Sequence, residues 1–411
     1  MTATGRSAEA TPAAVESAGF VQLLARPDGD ALAAAGVLAR ALDARETPFQ
    51  VSVCERADRA SRVATDADTV TVALGPIDVP SSSDGSVVSI DPAHGSLTGQ
   101  AVELADALDV DVDPGLALAG TVAAGTATPD ADPLAELVDI ARETGVLDRR
   151  PGVAIPTDDP VDGLAHATLV RAAWSGDADA AATATGDAEG RQLASVVAID
   201  AIGCDGASAR AAETIDRVLH PDTTPDGPFA TVGGLADVLT ATARTAPGIG
   251  VTLAYGRDVT DVALEAWRTH GEAVHAALDA ATTARHDGVF VCRLDDEAPD
   301  LARTDAIETV AGLAAATMTP EPVVLAVGDD RIGLATADGT PAAIHCDAVA
   351  ASHEVVADAG HRTGTLYPGE PTDPVDGASH PTDDGVDQPT DDAFDAAIDV
   401  DAVIETVRAE S

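Results

Sequence analysis

The chain has 411 residues, with 23 Lys+Arg against 70 Asp+Glu and a formal net charge of −47. All the cations are arginine. Hydrophobic residues make up 45% of the chain but aromatics only 2%. A core must therefore be assembled from Ala, Val, Leu and Ile, and wholesale disorder, which needs low hydrophobicity together with high charge, is excluded. Acid spread along the whole chain repels itself and is tolerable where concentrated salt shrinks the Debye length to about 3 Å at 1 M. With lysine absent, this is the pattern of a protein working in a high-salt cytoplasm rather than of one shaped by a basic partner. Cys54, Cys204, Cys292 and Cys346 lie far apart with no C-x-x-C, so neither a disulfide framework nor a zinc knuckle is indicated. Arg6 has no apolar run behind it, unlike a signal peptide. The longest uncharged stretch, 114–129, is too short for a bilayer span of about 20 apolar residues. A soluble, cytoplasmic protein with no membrane partner is expected.

In chain order, residues 1–16 read as a flexible N-terminus. Short β-branched runs then alternate with Ala-rich helices, an α/β pattern. Strands are expected at 20–25, 49–53, 69–74 and 86–90, with helices at 31–42, 98–108, 114–125 and 131–145, which suits a mostly parallel sheet with crossover helices. After a less regular stretch (151–190), helical segments at 192–202 and 207–219 lead to a Pro/Asp/Thr-rich loop at 221–228. A second α/β unit follows: a helix at 235–245, a strand at 249–254, a long helix at 259–285, a strand at 288–294, a helix at 304–318, and strands near 322–327, 331–336 and 342–346. From Tyr367 to Asp392 three Pro-Thr-Asp triplets mark a solvated linker. A small amphipathic helix carrying Phe394, Ala397, Ile398, Ile404 and Val407 ends the chain. It either docks on its own domain or binds another protein from a tether.

The most informative segment is Arg26-Pro-Asp28-Gly-Asp30-Ala-Leu-Ala-Ala-Ala-Gly36. Two carboxylates, two residues apart, follow a strand and open a helix, at the carboxyl end of a strand where open α/β sheets bind ligands. Their oxygens could share hard divalent cations. Equally, Asp30 could simply cap the helix while Asp28 shapes the turn.

This segment resembles the first motif of the DHH phosphoesterase superfamily, His-x-Asp-x-Asp-Gly, and specifically its archaeal RecJ-like, GINS-associated nuclease branch. Asp28 and Asp30 match the two aspartates, while Arg26 stands for the histidine and Ala31 for the glycine. Val88-Ser-Ile-Asp91-Pro-Ala-His94 stands where the DHH motif itself falls: Asp91 matches, Pro92 and Ala93 replace both histidines, and His94 lies one position late. Ala73 and Ala124 occupy the places of two further aspartates. Thr231 to Leu239, Trp267 to Gly271 and Asp287 to Val291 continue the likeness, and Asp358-Ala-Gly-His361 resembles a degraded Gly-Gly-His motif, making Gly360, His361 and Arg362 candidates for substrate contact.

The resemblance, covering roughly 17–366, implies a mostly parallel-sheet DHH domain (17–190), a helical connector (191–228) and a smaller α/β DHH-associated C-terminal domain (229–366), then the linker (367–392) and terminal helix (393–411). Active relatives are two-metal phosphodiesterases using Mn2+ or Mg2+, whose paired cations clamp the attacking and leaving oxygens. Here Asp28, Asp30, Asp91 and His94 are the remaining candidate metal ligands, and the permanent cation of Arg26 would repel a divalent ion and occlude the site. A salt bridge from Arg26 to Asp28 or Asp91 would fill the vacated space. The implied function is a catalytically impaired scaffold of DNA replication or repair, acting with GINS and the replicative helicase. The alternatives are an active Mn2+-dependent exonuclease on single-stranded DNA or RNA, or a phosphodiesterase of short oligonucleotides.

Other signals carry less. His270 and His275 are spaced five apart, on different helix faces. His345, Cys346 and His353 fit no standard metal spacing, and Gly248-Ile-Gly250 is no dinucleotide loop. Arg56, Arg59 and Arg62 read as a solvated helix face, and Trp174 and Phe229 as core.

Overall fold

The computed structural model describes residues 11–78, 86–125, 134–225, 227–369 and 398–410. Its first lobe is built on strands β1 (Phe20–Ala25), β2 (Phe49–Val53), β3 (Thr69–Leu74) and β4 (Ser86–Ile90), all parallel, in the order β2-β1-β3-β4. The interior strand β3 is buried along its whole length, as a parallel strand covered on both faces must be. Helix α1 (Gly29–Ala44) is apolar nearly all round, and 13 of its 16 residues are buried. Such a helix belongs in the middle of a core. It packs against α2 (Leu97–Ala107), α3 (Pro114–Ala123) and α4 (Val232–Thr245), whose many Ala and Gly residues bring the backbones close.

Helix α5 (Pro247–Ala254) leads to α6 (Thr260–Ala280), which ties the two lobes together. Its Trp267 belongs to the first core and its Ala273, Val274, Ala277 and Leu278 to the second. Besides the small pair β5 (Asp148–Arg149) and β6 (Asp222–Thr223), the structure has a six-stranded sheet. It comprises β7 (Thr282–His286), β8 (Val289–Arg293), β9 (Val323–Val327), β10 (Ile332–Thr336), β11 (Val355–Ala359) and β12 (Thr363–Pro368), in the order β11-β12-β10-β9-β8-β7. Only β8 and β9 run parallel within it. Helix α7 (Ile307–Thr317) covers one face; α8 (Ala342–Ser352) and α9 (Val400–Ala409) cover the other. The C-terminal helix thus docks on its own chain, burying Val400, Val403, Ile404 and Val407, with His353 Nε2 3.0 Å from Thr406 Oγ1. The fold is a parallel-sheet α/β lobe joined by helices to a mixed-sheet α/β lobe.

Several local expectations are corrected. The stretch 249–254 is helix α5 rather than a strand. Pro247 starts it, with φ preset for a first helical turn, and packing against α1 and α4 outweighs the β-propensity of Ile-Gly-Val-Thr. The stretch 342–346 opens helix α8, where seven of the eleven residues between Ala342 and Ser352 are Ala, Cys or Val and the helical Ala content wins. The long helix stops at Ala280, and 282–286 pairs with β8 across an Asp287-Gly288 turn in which Gly288 takes a φ of 90°. The hairpin β11–β12 was not expected, and it carries through Tyr367 and Pro368. Residues 370–392 of the expected linker, with Phe394 and Ala397, lie outside the described residues, as do residues 1–10 of the N-terminus. Residues 11–16 of that N-terminus form a short helix.

Candidate functional site

The strand β1 ends at Ala25, and the next residue, Arg26, points its side chain inward with only 1% of its surface exposed. Asp28 caps helix α1: its Oδ1 accepts from the Ala31 N–H at 2.7 Å, while Oδ2 pairs with Arg26 Nη1. The remaining arms of the guanidinium reach into the second lobe. Arg26 Nη2 lies 2.8 Å from Glu308 Oε1 on α7, and Nε lies 3.4 Å from Asp358 Oδ1 on β11. Arg59 Nη2 donates to the other Asp358 oxygen at 2.7 Å, and Arg244 Nη2 meets Glu308 Oε2 at 2.6 Å. Three arginines of the first lobe and the carboxylates of Asp28, Glu308 and Asp358 thus form one buried, charge-balanced cluster where the lobes meet. Thr363 and Thr365 complete it, their hydroxyls donating to Glu308. Although burial opposes ionisation, Arg244 and Arg26, with the Thr365 hydroxyl, hold the Glu308 carboxyl down at about 2.

Asp30 does something else. Its two oxygens accept from the Leu97 and Thr98 N–H groups at 2.7 and 2.8 Å, so it sits on the open N-terminus of α2 and ties the β1–α1 turn to it. Burial, and then the nearby Asp28 charge, push its carboxyl up to about 7 despite those bonds. Asp91 is half exposed and caps a turn through the Ala93 N–H at 2.9 Å; exposed His94 lies 3.8 Å from it. The structure joins Arg26 to Asp28 but not to Asp91. Among the described residues no three His, Cys, Asp or Glu side chains converge to hold a metal ion.

A pair of divalent cations, the cofactor the resemblance implies, does not fit this donor set. The Asp28 oxygens are taken by Arg26 and by the helix cap, and those of Asp30 by backbone amides. Asp91 is half exposed and spent on the Ala93 N–H, and a guanidinium stands among the carboxylates.

Gly360, His361 and Arg362 form the tip of the β11–β12 hairpin, which brings them to the lobe interface. Gly360 is required by packing: a β-carbon there would collide with Arg26 Nη1 and come within 3.2 Å of Asp28 Oδ2. Gly360→Ala is therefore expected to lower stability by about 1–3 kcal/mol, measured by urea unfolding. An unchanged midpoint would show that Arg26 can move aside freely. His361 Nδ1 lies 3.0 Å from the Pro92 carbonyl, and Arg362 has a buried Nε with no partner among the described residues. Both line a cleft of about 650 Å3 between the lobes. Seven of the chain's arginines (26, 142, 149, 210, 217, 244 and 362) line that cleft, against seven carboxylates, although acids outnumber cations 70 to 23 overall. Two of those carboxyls, Asp30 and Asp237, are shifted upward by burial toward neutrality. The lining of this cleft is thus close to charge balance in a chain that is strongly acidic overall.

The arginine series at 56, 59 and 62 is corrected in part: Arg62 is exposed as expected, but Arg56 and Arg59 are not. Arg59 is fully buried on Asp358, and Arg56 reaches Asp78 and the Ala357 carbonyl, so docking of the second lobe converts an expected solvent face into an interface. Glu308 and Arg244 escaped sequence reasoning. The signal for Glu308 was a single acid in the apolar run Ile307 to Met318. His270, His345 and Cys346 are buried packing residues, and Trp174 and Phe229 lie in the core.

The family described as "uncharacterized protein rrnAC1427, C-terminal domain" matches residues 281–408. The rrnAC1427 protein of Haloarcula marismortui is 41% identical over 368 residues, covering 82% of this chain and 88% of that protein. Among solved structures, CDC45 from Entamoeba histolytica superposes with a TM-score of 0.52 at 8% identity, covering 87% of this chain and 94% of that one. A manganese-bound exonuclease RecJ gives a TM-score of 0.46 at 15% identity, over 90% and 91% of the two chains. The fold is thus CDC45-like, and identity at this level over most of the Haloarcula protein makes the chain a member of the rrnAC1427 family.

Proposed function

We propose that this protein serves DNA replication or repair as a DHH-fold scaffold that works without the two-metal centre of the catalytic members. The observation that carries this reading is Arg26: a buried guanidinium, satisfied by Asp28, Glu308 and Asp358, stands where metal-ligand chemistry would need an imidazole and open carboxylate oxygens. A scaffold of this kind acts through its surfaces, and the likeness in fold to CDC45 supports GINS and the replicative helicase as the partners to test. The cleft supports a further role in holding single-stranded nucleic acid. At a net charge of −47, counterion release cannot drive that contact as it does for basic proteins, so it would be local, through arginines such as Arg217 and Arg362.

Titrating the purified protein with Mn2+ in molar KCl, by calorimetry and by the loss of free-Mn2+ resonance signal, is expected to show no saturable site below millimolar. Single-stranded DNA and RNA are expected to remain intact. Stoichiometric, tight Mn2+ binding with strand degradation that Asp28→Ala abolishes would replace the scaffold with a working exonuclease; turnover confined to short oligonucleotides would instead mark a small-substrate phosphodiesterase. Failure to recover purified GINS or helicase components on immobilised protein in molar salt would remove the proposed partners.

A further inference from the structure

The strand β2 is the outer edge of the first sheet, and its free side adjoins a second, smaller cleft of about 400 Å3. Val21 N–H donates to the Pro48 carbonyl and Cys54 N–H to the Ala25 carbonyl, each at 2.9 Å, so the even-numbered residues of β2 face β1. Bonding alternates along a parallel strand, which turns the N–H and C=O groups of Phe49, Val51 and Val53 outward. Among the described residues nothing pairs with them. A row of free backbone groups on an edge strand is a template for another strand unless it is covered or charged, and β2 carries no charged residue.

The cleft beside it is apolar. Ala35, Gly36 and Ala39 of α1 lie at its floor, and Phe49 and Val51 form the wall on the β2 side. In a chain that is only 2% aromatic, Phe49 and Tyr255 face each other across this cleft with ring centroids 6.0 Å apart. Arg257 lies over the Tyr255 ring at 5.2 Å, and no carboxylate among the described residues pairs with it. A cation with no carboxylate partner among the described residues, beside half-buried aromatics in a protein with three acids for every cation, is complementary to an incoming carboxylate.

We propose that β2 and this cleft form a docking site for an extended, acidic segment of a partner protein. The segment adds to the sheet as a fifth strand, sets alternate aliphatic side chains into the cleft and places a carboxylate against Arg257. Backbone bonds to Phe49, Val51 and Val53 supply affinity, and the apolar cleft with its one cation supplies selectivity. The site lies outside the lobe interface and does not depend on the metal status of Asp28 or on the scaffold reading.

The test uses a fluorescein-labelled peptide of alternating Val/Ile and Asp residues, followed by anisotropy in molar KCl with the full chain. Two variants separate the contacts. Val51→Pro removes an outward N–H that makes no bond to β1, a substitution edge strands tolerate; Arg257→Glu reverses the charge at the rim. Saturable binding weakened about tenfold or more by each variant, a difference of roughly 1.4 kcal/mol, is expected, with circular dichroism and melting unchanged. A matching Lys-containing peptide is expected not to bind. Absence of acidic-peptide binding, or equal binding by both variants, would overturn the proposal. Concentration-dependent dimerisation that Val51→Pro abolishes would also overturn it, by assigning the edge to a second copy of this chain.

Discussion

Replacing Arg26 by alanine is expected to cost about 3–5 kcal/mol at neutral pH, the range for removing one partner from a buried ion network. The substitution strips Glu308, Asp358 and Asp28 of a shared cation inside the lobe interface, leaving Arg244 and Arg59 to balance them. With about 2.1 cal/mol/K of unfolding entropy per residue, this corresponds to a fall in Tm of roughly 5 °C. The loss should persist in molar KCl, because mobile ions do not reach a cluster this buried, whereas the exposed Arg40–Asp113 pair should be worth little at any salt. Arg26→Lys should recover only part of the loss, since an ammonium cannot serve three carboxylates along the fork of a guanidinium. Lowering the pH should shrink the deficit of Arg26→Ala, as the stranded carboxyls take up protons. A double-mutant cycle with Glu308→Gln would measure the coupling directly. Melting of Arg26→Ala within a degree of the parent would show that the cluster does not hold the lobes together.

The pH dependence of stability should carry opposite signatures from Asp30 and Glu308. Asp30 titrates near 7 in the folded chain against about 4 unfolded. Between those values the native state binds more protons than the unfolded one, so stability falls as pH rises from 4 to 7, by about 4 kcal/mol in total. Glu308 is held at about 2, below its unfolded value. Its contribution is present above about pH 4.5 and is lost as the pH falls toward 2, about 3 kcal/mol in all. From these two groups a stability maximum near pH 4–5 is expected, acidic for a protein but consistent with a chain relieved by protonation. Urea unfolding of the parent and Asp30→Asn across pH 4–8 isolates the first effect. The variant's amide faces two backbone N–H groups, which adds a constant penalty, but its profile should lack the decline between pH 4 and 7. Parallel profiles would show that Asp30 is ionised throughout that range.

Much of this protein was legible in one dimension. The alternation of β-branched runs with Ala-rich helices yields all four parallel strands, because two-sided burial of a parallel sheet demands continuous apolar runs such as Thr69 to Leu74. Arg26-Pro-Asp28-Gly-Asp30 marks the end of β1 because capping and turn chemistry act between near neighbours, whereas the sequence left the Arg26 salt bridge open between Asp28 and Asp91, and the structure makes it with Asp28. Elements decided by long-range packing were misread: Ile249 to Ala254 is helical because α1 and α4 enclose it, and Arg59 is buried because a hairpin from nearly three hundred residues later brings Asp358 to it.

The same division runs through the candidate site. Sequence alone offered a resemblance to the DHH motif order, with Arg26, Ala73 and Ala124 at places where that resemblance implies metal-binding side chains, because residue identity needs no partner to be read. Only the tertiary structure decided what that arginine does. Glu308 and Asp358, distant in sequence, meet it by the docking of the second lobe, and Asp91, close in motif order, makes no pair with it. Burial and charge balance are properties of the assembled interface, where desolvation makes each unpaired charge costly, and no local pattern of residues encodes which opposite charge will arrive.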